Sequence, residues 1–153
     1  LVDWKDRSTC ILFGDGAGAV VLRAEEGESY HMVTHSDGSK GEALTCDTGS
    51  FMKMDGQGVF KFAVRQVPAC IEDIDYFILH QANRRIVEAV AKRMKVELTK
   101  FPMNLQEYGN TSSASIPLLL DEMNREGRLK KGQKLVLAGF GAGLSWGASL
   151  LEW

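Results

Sequence analysis

The sequence predicts an α/β domain in which a mixed β-sheet carries helices on both faces. Short apolar runs, bounded by glycine or polar clusters, alternate with segments of helical periodicity, which is the pattern of βα units. Two β-rich runs near the N-terminus and two near the C-terminus are each joined by a glycine-rich link, which favours antiparallel neighbours. A chain of 153 residues can form one such domain with a sizeable core.

The composition narrows the possible classes of function. Hydrophobic residues make up 44% of the chain and charged residues 25%, which is ordinary for a soluble globular protein. The net charge of −2 argues against a domain dedicated to nucleic acid. No apolar run approaches the roughly 20 residues that span a bilayer, and the N-terminus does not resemble a signal peptide. We therefore expect a cytoplasmic protein that binds neither nucleic acid nor membrane, and a chain that is part of something longer.

The sequence gives little support for a metal centre or a disulfide framework. Cys10, Cys46 and Cys70 are widely separated and lack metal-ligand spacing, so we expect reduced thiols without a catalytic role. His31 and His35 lie four residues apart, but no carboxylate or cysteine accompanies them in a ligand pattern. We therefore expect no metal and no other bound cofactor.

The first predicted elements are strands at 9–13 and 19–24, joined by the glycine-rich link 14–18. A glycine cluster can cradle phosphate, but that motif requires a helix after the glycines, and here a second β-rich run follows. We therefore predict a β-hairpin. Its small link residues would also let another backbone approach closely.

Helical periodicity begins after a polar stretch at 25–54. Apolar residues recur at helical spacing from Val59 to Ile71, which predicts a helix that is kinked or ended near Pro68. The join to the next strand, 71–75, has neither glycine nor asparagine, although such a reversal usually needs turn chemistry. We expect that residues are missing from this join.

The run Tyr76–Leu79 indicates a short buried strand, followed at once by a polar cluster that begins at His80. A parallel strand that leads into a helix delivers its last residues to the carboxyl edge of a sheet, where α/β proteins place their chemistry. Asn83 can cap the next helix, predicted over 84–95, which carries several basic residues on its exposed side. A lone histidine here could equally be a structural, hydrogen-bonded residue.

The remaining predicted elements begin with a connection at 101–107, a polar turn at 108–115 and a helix at 116–125 that is ended by Gly127. A strand at 134–138, a glycine-rich turn at 139–143 and a last strand at 145–151 follow.

Three polar or glycine-rich turns, around His80, Asn110 and Gly141, can meet at one edge of the sheet. A neutral histidine and an asparagine amide can both donate hydrogen bonds to one oxygen, and the N–H groups of a glycine turn can serve another. This equipment suits the stabilisation of an enolate or an oxyanion. No credible nucleophile accompanies it.

Four motifs are spread along the chain, and the resemblance that they carry covers essentially all of residues 1–153. They are Phe13–Ala19 (FGDGAGA), His80–Asn83 (HQAN), Gly109–Ser115 (GNTSSAS) and Gly139–Gly143 (GFGAG). In this order they resemble the C-terminal half of β-ketoacyl-[acyl-carrier-protein] synthase III. The resemblance implies the C-terminal half of a thiolase-like αβαβα layered fold, in subunits that pair as homodimers. It also implies that the nucleophilic cysteine belongs to an N-terminal half that is absent from this chain.

The implied reaction starts fatty-acid synthesis in bacteria by a decarboxylative Claisen condensation. An acyl-CoA primer, expected to be acetyl-CoA, condenses with malonyl-acyl-carrier-protein, and both are substrates rather than cofactors. By the resemblance, His80 and Asn110 stabilise the enolate of the malonyl thioester. An active-site turn formed by Phe140, Gly141, Ala142 and Gly143 contributes a backbone N–H near Ala142 to the tetrahedral oxyanion.

Two further sets of residues follow from the resemblance. Positions that line the tunnel for CoA and pantetheine match Gly56, Phe60, Ala82 and Asn83. Positions that receive the acidic acyl carrier protein match Lys61, Arg85, Lys92 and Arg93. The chain is shorter than the family pattern in two places, 44–54 and 71–75, and both lie near the expected tunnel.

Two alternatives stay open. Another condensing enzyme of the superfamily, such as a chalcone-synthase-like protein, would share the Cys, His and Asn set, whereas thiolases use a different one. The other alternative is a non-catalytic module that binds carrier protein, which the missing nucleophile favours. In either case we expect the fragment alone to be inactive.

Overall fold

A computed structural model of the chain describes residues 1–23, 26, 31–66 and 74–153. Its strands are β1 (His31–Ser36), β2 (Leu44–Thr45), β3 (Lys53–Met54), β4 (Tyr76–Leu79), β5 (Lys134–Gly141) and β6 (Ser145–Glu152). Its α-helices are α1 (Gly56–Gln66), α2 (Arg84–Met94), α3 (Leu105–Tyr108) and α4 (Ser115–Arg125). Short 3₁₀ turns occupy Gly38–Ala43, Leu98–Lys100 and Ser112–Ala114.

The main sheet has four strands in the order β1-β6-β5-β4. Strands β4 and β5 run parallel, whereas β5 with β6 and β6 with β1 run antiparallel. The predicted mixed sheet is therefore confirmed. The short strands β2 and β3 form a separate antiparallel pair beside it.

Helices cover both faces of this sheet, as predicted. Successive side chains of a strand point to opposite faces. Phe77 and Leu79 accordingly pack with Val90 of α2 in one core cluster. Ile78 faces the other way and packs with Leu119 of α4 in a second cluster. Strand β4 is thus buried on both sides, which is why it consists of consecutive apolar residues.

Capping residues set both ends of helix α2. The Asn83 side chain accepts a hydrogen bond from the backbone N–H of Arg85 at 2.8 Å, which confirms the predicted N-cap. The helix ends at Lys95, whose φ of 57° is left-handed. On its exposed side, Arg84 and Glu88 form an i,i+4 ion pair at 2.7 Å.

The predicted N-terminal hairpin is wrong. Residues 7–12 form turns, Phe13 makes an isolated parallel bridge with Asn110, and residues 14–23 form no strand. The glycine link instead packs against the segment around Asn110: a Cβ on Gly14 would overlap the carbonyl of Tyr108. The close approach of a second backbone is therefore confirmed, but the chain does not fold back on itself there. Residue 24 lies outside the described residues.

Two smaller expectations also need correction. The connection predicted over 101–107 contains the helical turn α3. Strand β5 continues through Gly141 because Gly139, Phe140 and Gly141 all pair with β6, so the turn covers only 142–144. Pro68, Cys70 and most of the join at 71–75 lie outside the described residues. Within the described part of the chain, no helix has the length and hydropathy needed to span a bilayer.

Candidate active site

His80 follows β4 directly and lies beside the end of β5. Its backbone N–H donates to the carbonyl of Ala138 at 2.8 Å, which continues the parallel ladder by one step. Because parallel strands end at the same edge of a sheet, the imidazole meets Phe140 of β5, with ring centroids 5.4 Å apart and planes at 63°. The other side of the ring contacts α4, where Nδ1 lies 2.7 Å from Oγ of Ser115.

Burial sets the charge state of His80. Removal of the ring from water disfavours the imidazolium and lowers the pKa of His80 from its usual 6.5 to about 4. At neutral pH the side chain is therefore uncharged and carries one N–H. It can donate one hydrogen bond to a ligand without itself being an acid of useful strength.

Asn110 is buried, with 6% of its surface exposed, and both its backbone and its side chain are held in place. Its N–H donates to the carbonyl of Leu12, and its carbonyl accepts from the N–H of Gly14, each at 2.8 Å. The side-chain Oδ1 accepts from the N–H of Ser112 at 2.9 Å. This bond fixes the orientation of the amide and leaves its NH₂ group as the donor available to a ligand.

His80 and Asn110 line one cavity of about 270 Å³. The predicted turn residues Phe140, Gly141 and Ala142 lie on the same wall, whereas Gly143 does not reach it. All four predicted tunnel residues also line it: Gly56, Phe60, Ala82 and Asn83. The cavity thus joins two hydrogen-bond donors to a passage with small and apolar walls.

Several residues that line this cavity were not predicted from the sequence. Cys46, Met52 and Met54 come from the polar stretch around β2 and β3, where weak periodicity carried no signal of a tunnel wall. Phe13 and Ser112 belong to two of the quoted motifs, yet their residue types suggested no role. A second cavity of about 370 Å³ adjoins the first at His80 and Phe140.

The residues predicted to receive a carrier protein lie outside the cavity. Lys61 is exposed on α1, and Arg85, Lys92 and Arg93 are exposed on α2, which packs against α1. Among the residues that the structure describes, none of the four forms an ion pair. Their charge is therefore available to a partner.

The histidines and cysteines elsewhere do not assemble into a metal site. His35 on β1 stacks against Trp146, with ring centroids 5.3 Å apart. Across the ranges described above, no three His, Cys, Asp or Glu side chains are grouped as ligands for a metal ion. Cys10 is half-buried and Cys46 is exposed.

Comparison with known proteins gives a consistent result. Residues 67–153 match the family model for 3-Oxoacyl-[acyl-carrier-protein (ACP)] synthase III C terminal, and residues 1–41 match the model for 3-Oxoacyl-[acyl-carrier-protein (ACP)] synthase III. The β-ketoacyl-[acyl-carrier-protein] synthase III of Clostridium novyi is 46% identical over 179 residues, which cover 100% of this chain and 55% of the relative. That of Prochlorococcus marinus is 45% identical, covering 99% of this chain and 54% of the relative. The chain spans about half the length of these relatives.

Solved structures confirm the fold. The 3-oxoacyl-[acyl-carrier-protein] synthase III of Aquifex aeolicus superposes with a TM-score of 0.90 at 41% identity, and the enzyme of Pseudomonas aeruginosa with 0.91 at 40%. Both alignments cover 99% of this chain and 54% of the solved chain. OleA of Xanthomonas campestris, at 24% identity and a TM-score of 0.71, shares the fold alone. The motifs, the fold and these matches together place the chain in the 3-oxoacyl-[acyl-carrier-protein] synthase III family.

Proposed function

We propose that the complete protein catalyses the initiating condensation of bacterial fatty-acid synthesis. An acyl-CoA primer, preferably acetyl-CoA, condenses with malonyl-acyl-carrier-protein in a decarboxylative Claisen reaction. The observation that best supports this proposal is that His80 and Asn110 line one cavity, while the amide NH₂ of Asn110 has no hydrogen-bond partner among the described residues. Two neutral donors suit an oxygen that gains negative charge only as the reaction proceeds.

The chemical step places electrons on the malonyl thioester oxygen. When carbon dioxide leaves, the pair of the broken C–C bond forms an enolate whose charge rests on that oxygen. Hydrogen bonds from His80 and Asn110 stabilise this charge more than they stabilise the neutral thioester, and so lower the barrier. The enolate carbon then attacks the carbonyl carbon of the primer thioester, which is carried by a cysteine of the protein outside this chain. The tetrahedral intermediate collapses as its C–S bond breaks, which releases the cysteine thiolate and the 3-oxoacyl product. The backbone N–H near Ala142 contributes to the oxyanion of that second step.

The cavity walls fit a thin, flexible arm. Gly56 and Ala82 leave room for a narrow chain, Phe60 offers an apolar surface, and Asn83 lies at the start of α2, where its amide can meet polar groups. We assign this passage to the pantetheine arm that CoA and the carrier protein share.

The basic surface of Lys61, Arg85, Lys92 and Arg93 is proposed as the docking site for an acidic carrier protein. Exposed charges of one sign steer an oppositely charged partner and set its orientation. Helix α2 begins four residues after His80, so a carrier docked on it would have a short path to the cavity. By membership of the family, we also propose a cytoplasmic homodimer without metal or other cofactor.

The lengths of the alignments support the proposal that internal residues are missing. The 153 residues of this chain align with 179 residues of the Clostridium novyi relative, so the relative carries 26 more within the same span. We propose that these fall mainly in the short joins near 44–54 and 71–75. No cysteine of this chain is proposed as the nucleophile.

One assay separates the enzyme from the carrier-binding alternative. The complete protein, given acetyl-CoA and malonyl-acyl-carrier-protein, is expected to release carbon dioxide and form the 3-oxoacyl product. Carrier binding without either product would favour the non-catalytic module, for which the absence of a nucleophile from this chain is the supporting observation. Product from an aromatic CoA primer in preference to acetyl-CoA would favour the chalcone-synthase-like alternative.

A further inference from the structure

Ser115 is a buried hydroxyl that contacts two residues of the HQAN motif. It is the first residue of α4, and only 3% of its surface is exposed. Its Oγ accepts a hydrogen bond from the backbone N–H of Gln81 at 3.1 Å. The same oxygen lies 2.7 Å from Nδ1 of His80, a distance typical of a strong hydrogen bond. Nothing in the sequence analysis gave this serine a role.

The direction of the His80 bond follows from counting protons. A serine hydroxyl has one proton and two lone pairs. The Gln81 N–H occupies one lone pair and leaves the hydroxyl proton to be placed. If Nδ1 also donated, the proton of a buried hydroxyl would need another acceptor, and among the described residues Ser115 has no side-chain hydrogen bond beyond these two. A buried donor without a partner is costly.

We propose that Ser115 is a positioning residue: its hydroxyl donates to Nδ1 of His80 and holds the neutral imidazole in the tautomer that carries its proton on Nε2. The tautomer is a property of the folded chain. Its consequence for catalysis rests on the function proposed above.

The tautomer decides whether His80 attracts or repels an oxyanion in the cavity. With the proton on Nε2, the ring presents an N–H to the cavity and can stabilise an oxyanion. With the proton on Nδ1, it would present a lone pair, which repels the same oxygen. The bond to Ser115 also ties the ring to α4, which carries no other residue assigned to the reaction. The Gln81 N–H occupies one lone pair of the Ser115 hydroxyl oxygen, and the hydroxyl proton is then left for the ring.

The tautomer can be measured directly. Long-range proton–nitrogen NMR spectra of the complete protein, labelled with ¹⁵N-histidine, distinguish protonated from unprotonated ring nitrogens, and His80→Asn identifies the signals of His80. At neutral pH we expect His80 to be neutral and protonated on Nε2. We expect Ser115→Ala to add the Nδ1-protonated form, and Ser115→Thr, which keeps the hydroxyl, to restore the original spectrum. Ser149→Ala, a half-buried serine of β6 that lines neither cavity, is the matched control.

Two results would overturn the inference. One is a wild-type His80 protonated on Nδ1, and this test holds even if Ser115→Ala does not fold. The other is an identical tautomer in wild type and in a folded Ser115→Ala protein.

Kinetics supply a second readout. Loss of one neutral hydrogen bond should lower kcat for malonyl decarboxylation about 2- to 10-fold, with KM unchanged and activity regained in Ser115→Thr. Equal loss in the Ala and Thr variants would count against a role for the hydroxyl. Failure of the proposed function is distinguishable, because it would appear as undiminished decarboxylation in His80→Asn whatever the tautomer.

Discussion

The neutral state of His80 arises from burial, with no charged neighbour needed to explain its lowered pKa. An imidazole that is largely removed from water also resists protonation when the surroundings become acidic. The same burial that makes His80 a neutral donor therefore makes the folded protein sensitive to acid. Asn110 also presents an uncharged donor to the cavity, because the N–H of Ser112 occupies its side-chain oxygen and leaves the NH₂ group for a ligand.

Acid should destabilise the protein through His80. The unfolded state takes up a proton near pH 6.5, whereas the folded state resists until about pH 4, so stability falls as the pH is lowered between these values. From about pH 7 to pH 5 this linkage should cost roughly 2 kcal/mol of unfolding free energy. Urea unfolding of wild type and His80→Asn at both pH values measures it. Carboxylates titrate in both proteins, so equal losses in the two would contradict the prediction.

At the scale of elements, the sequence predicted structure well where the residues of a segment themselves determine its conformation. Strand β4 consists of four apolar residues buried on both faces, and α2 has a capping asparagine and an apolar stripe; both were placed within a residue. The prediction of an N-terminal hairpin failed because β-rich residues indicate that a segment can form a strand, but they do not indicate which segment it pairs with. The glycines at 14, 16 and 18 pack against 108–118, and Val21 and Leu22 are left 99% and 89% exposed.

The close packing of Gly14 gives a prediction about Asn110. A methyl group on Gly14 would overlap the backbone carbonyl of Tyr108, which cannot move aside like a side chain. Gly14→Ala should therefore lower the unfolding free energy by about 1–3 kcal/mol, since overpacking costs this much. It should also lower decarboxylation, because the N–H of Gly14 holds the backbone of Asn110.

Gly38→Ala is the matched control for this substitution, since a Cβ there meets nothing within 4 Å. Denaturant unfolding of the two variants compares them. Equal stabilities would show that the contact between the glycine link and the segment around Asn110 is loose in solution.

At the scale of the whole molecule, the site is assembled from distant parts of the chain. Residues from the glycine link, α1, β4, β5 and the Asn110 segment converge on one cavity. The motifs and the resemblance they carry predicted which residues meet at the cavity, except for Gly143, while the roles of these residues stay proposals. They could not predict Cys46, Met52 and Met54, which reach the cavity through the β2–β3 pair, nor the bond of Ser115, because both depend on tertiary contacts that no local pattern encodes.

The surface charge on α2 gives a prediction at this scale. The double variant Arg85→Glu/Lys92→Glu should raise KM for malonyl-acyl-carrier-protein about 10-fold, and added salt should shrink the difference, because exposed charges are screened. Activity with malonyl-CoA should change little, since that substrate lacks the carrier. Steady-state kinetics with both substrates measure the effect.

Lys131→Glu is the control, because it alters an exposed charge in the turn before β5, at the opposite edge of the sheet from His80. A carrier-protein KM equal to wild type in the double variant would remove α2 from the docking surface.

The central claim is that His80 and Asn110 together stabilise the enolate, and decarboxylation of malonyl-acyl-carrier-protein tests it most directly. The release of carbon dioxide from labelled substrate is measured for the complete protein, for His80→Ala and for Asn110→Ala. His35→Ala, whose ring stacks on Trp146 outside the His80–Asn110 cavity, serves as the control. Each site variant should be slower by about 10²-fold or more, the scale of losing an oxyanion donor. Rates near wild type in both folded variants would contradict the assignment.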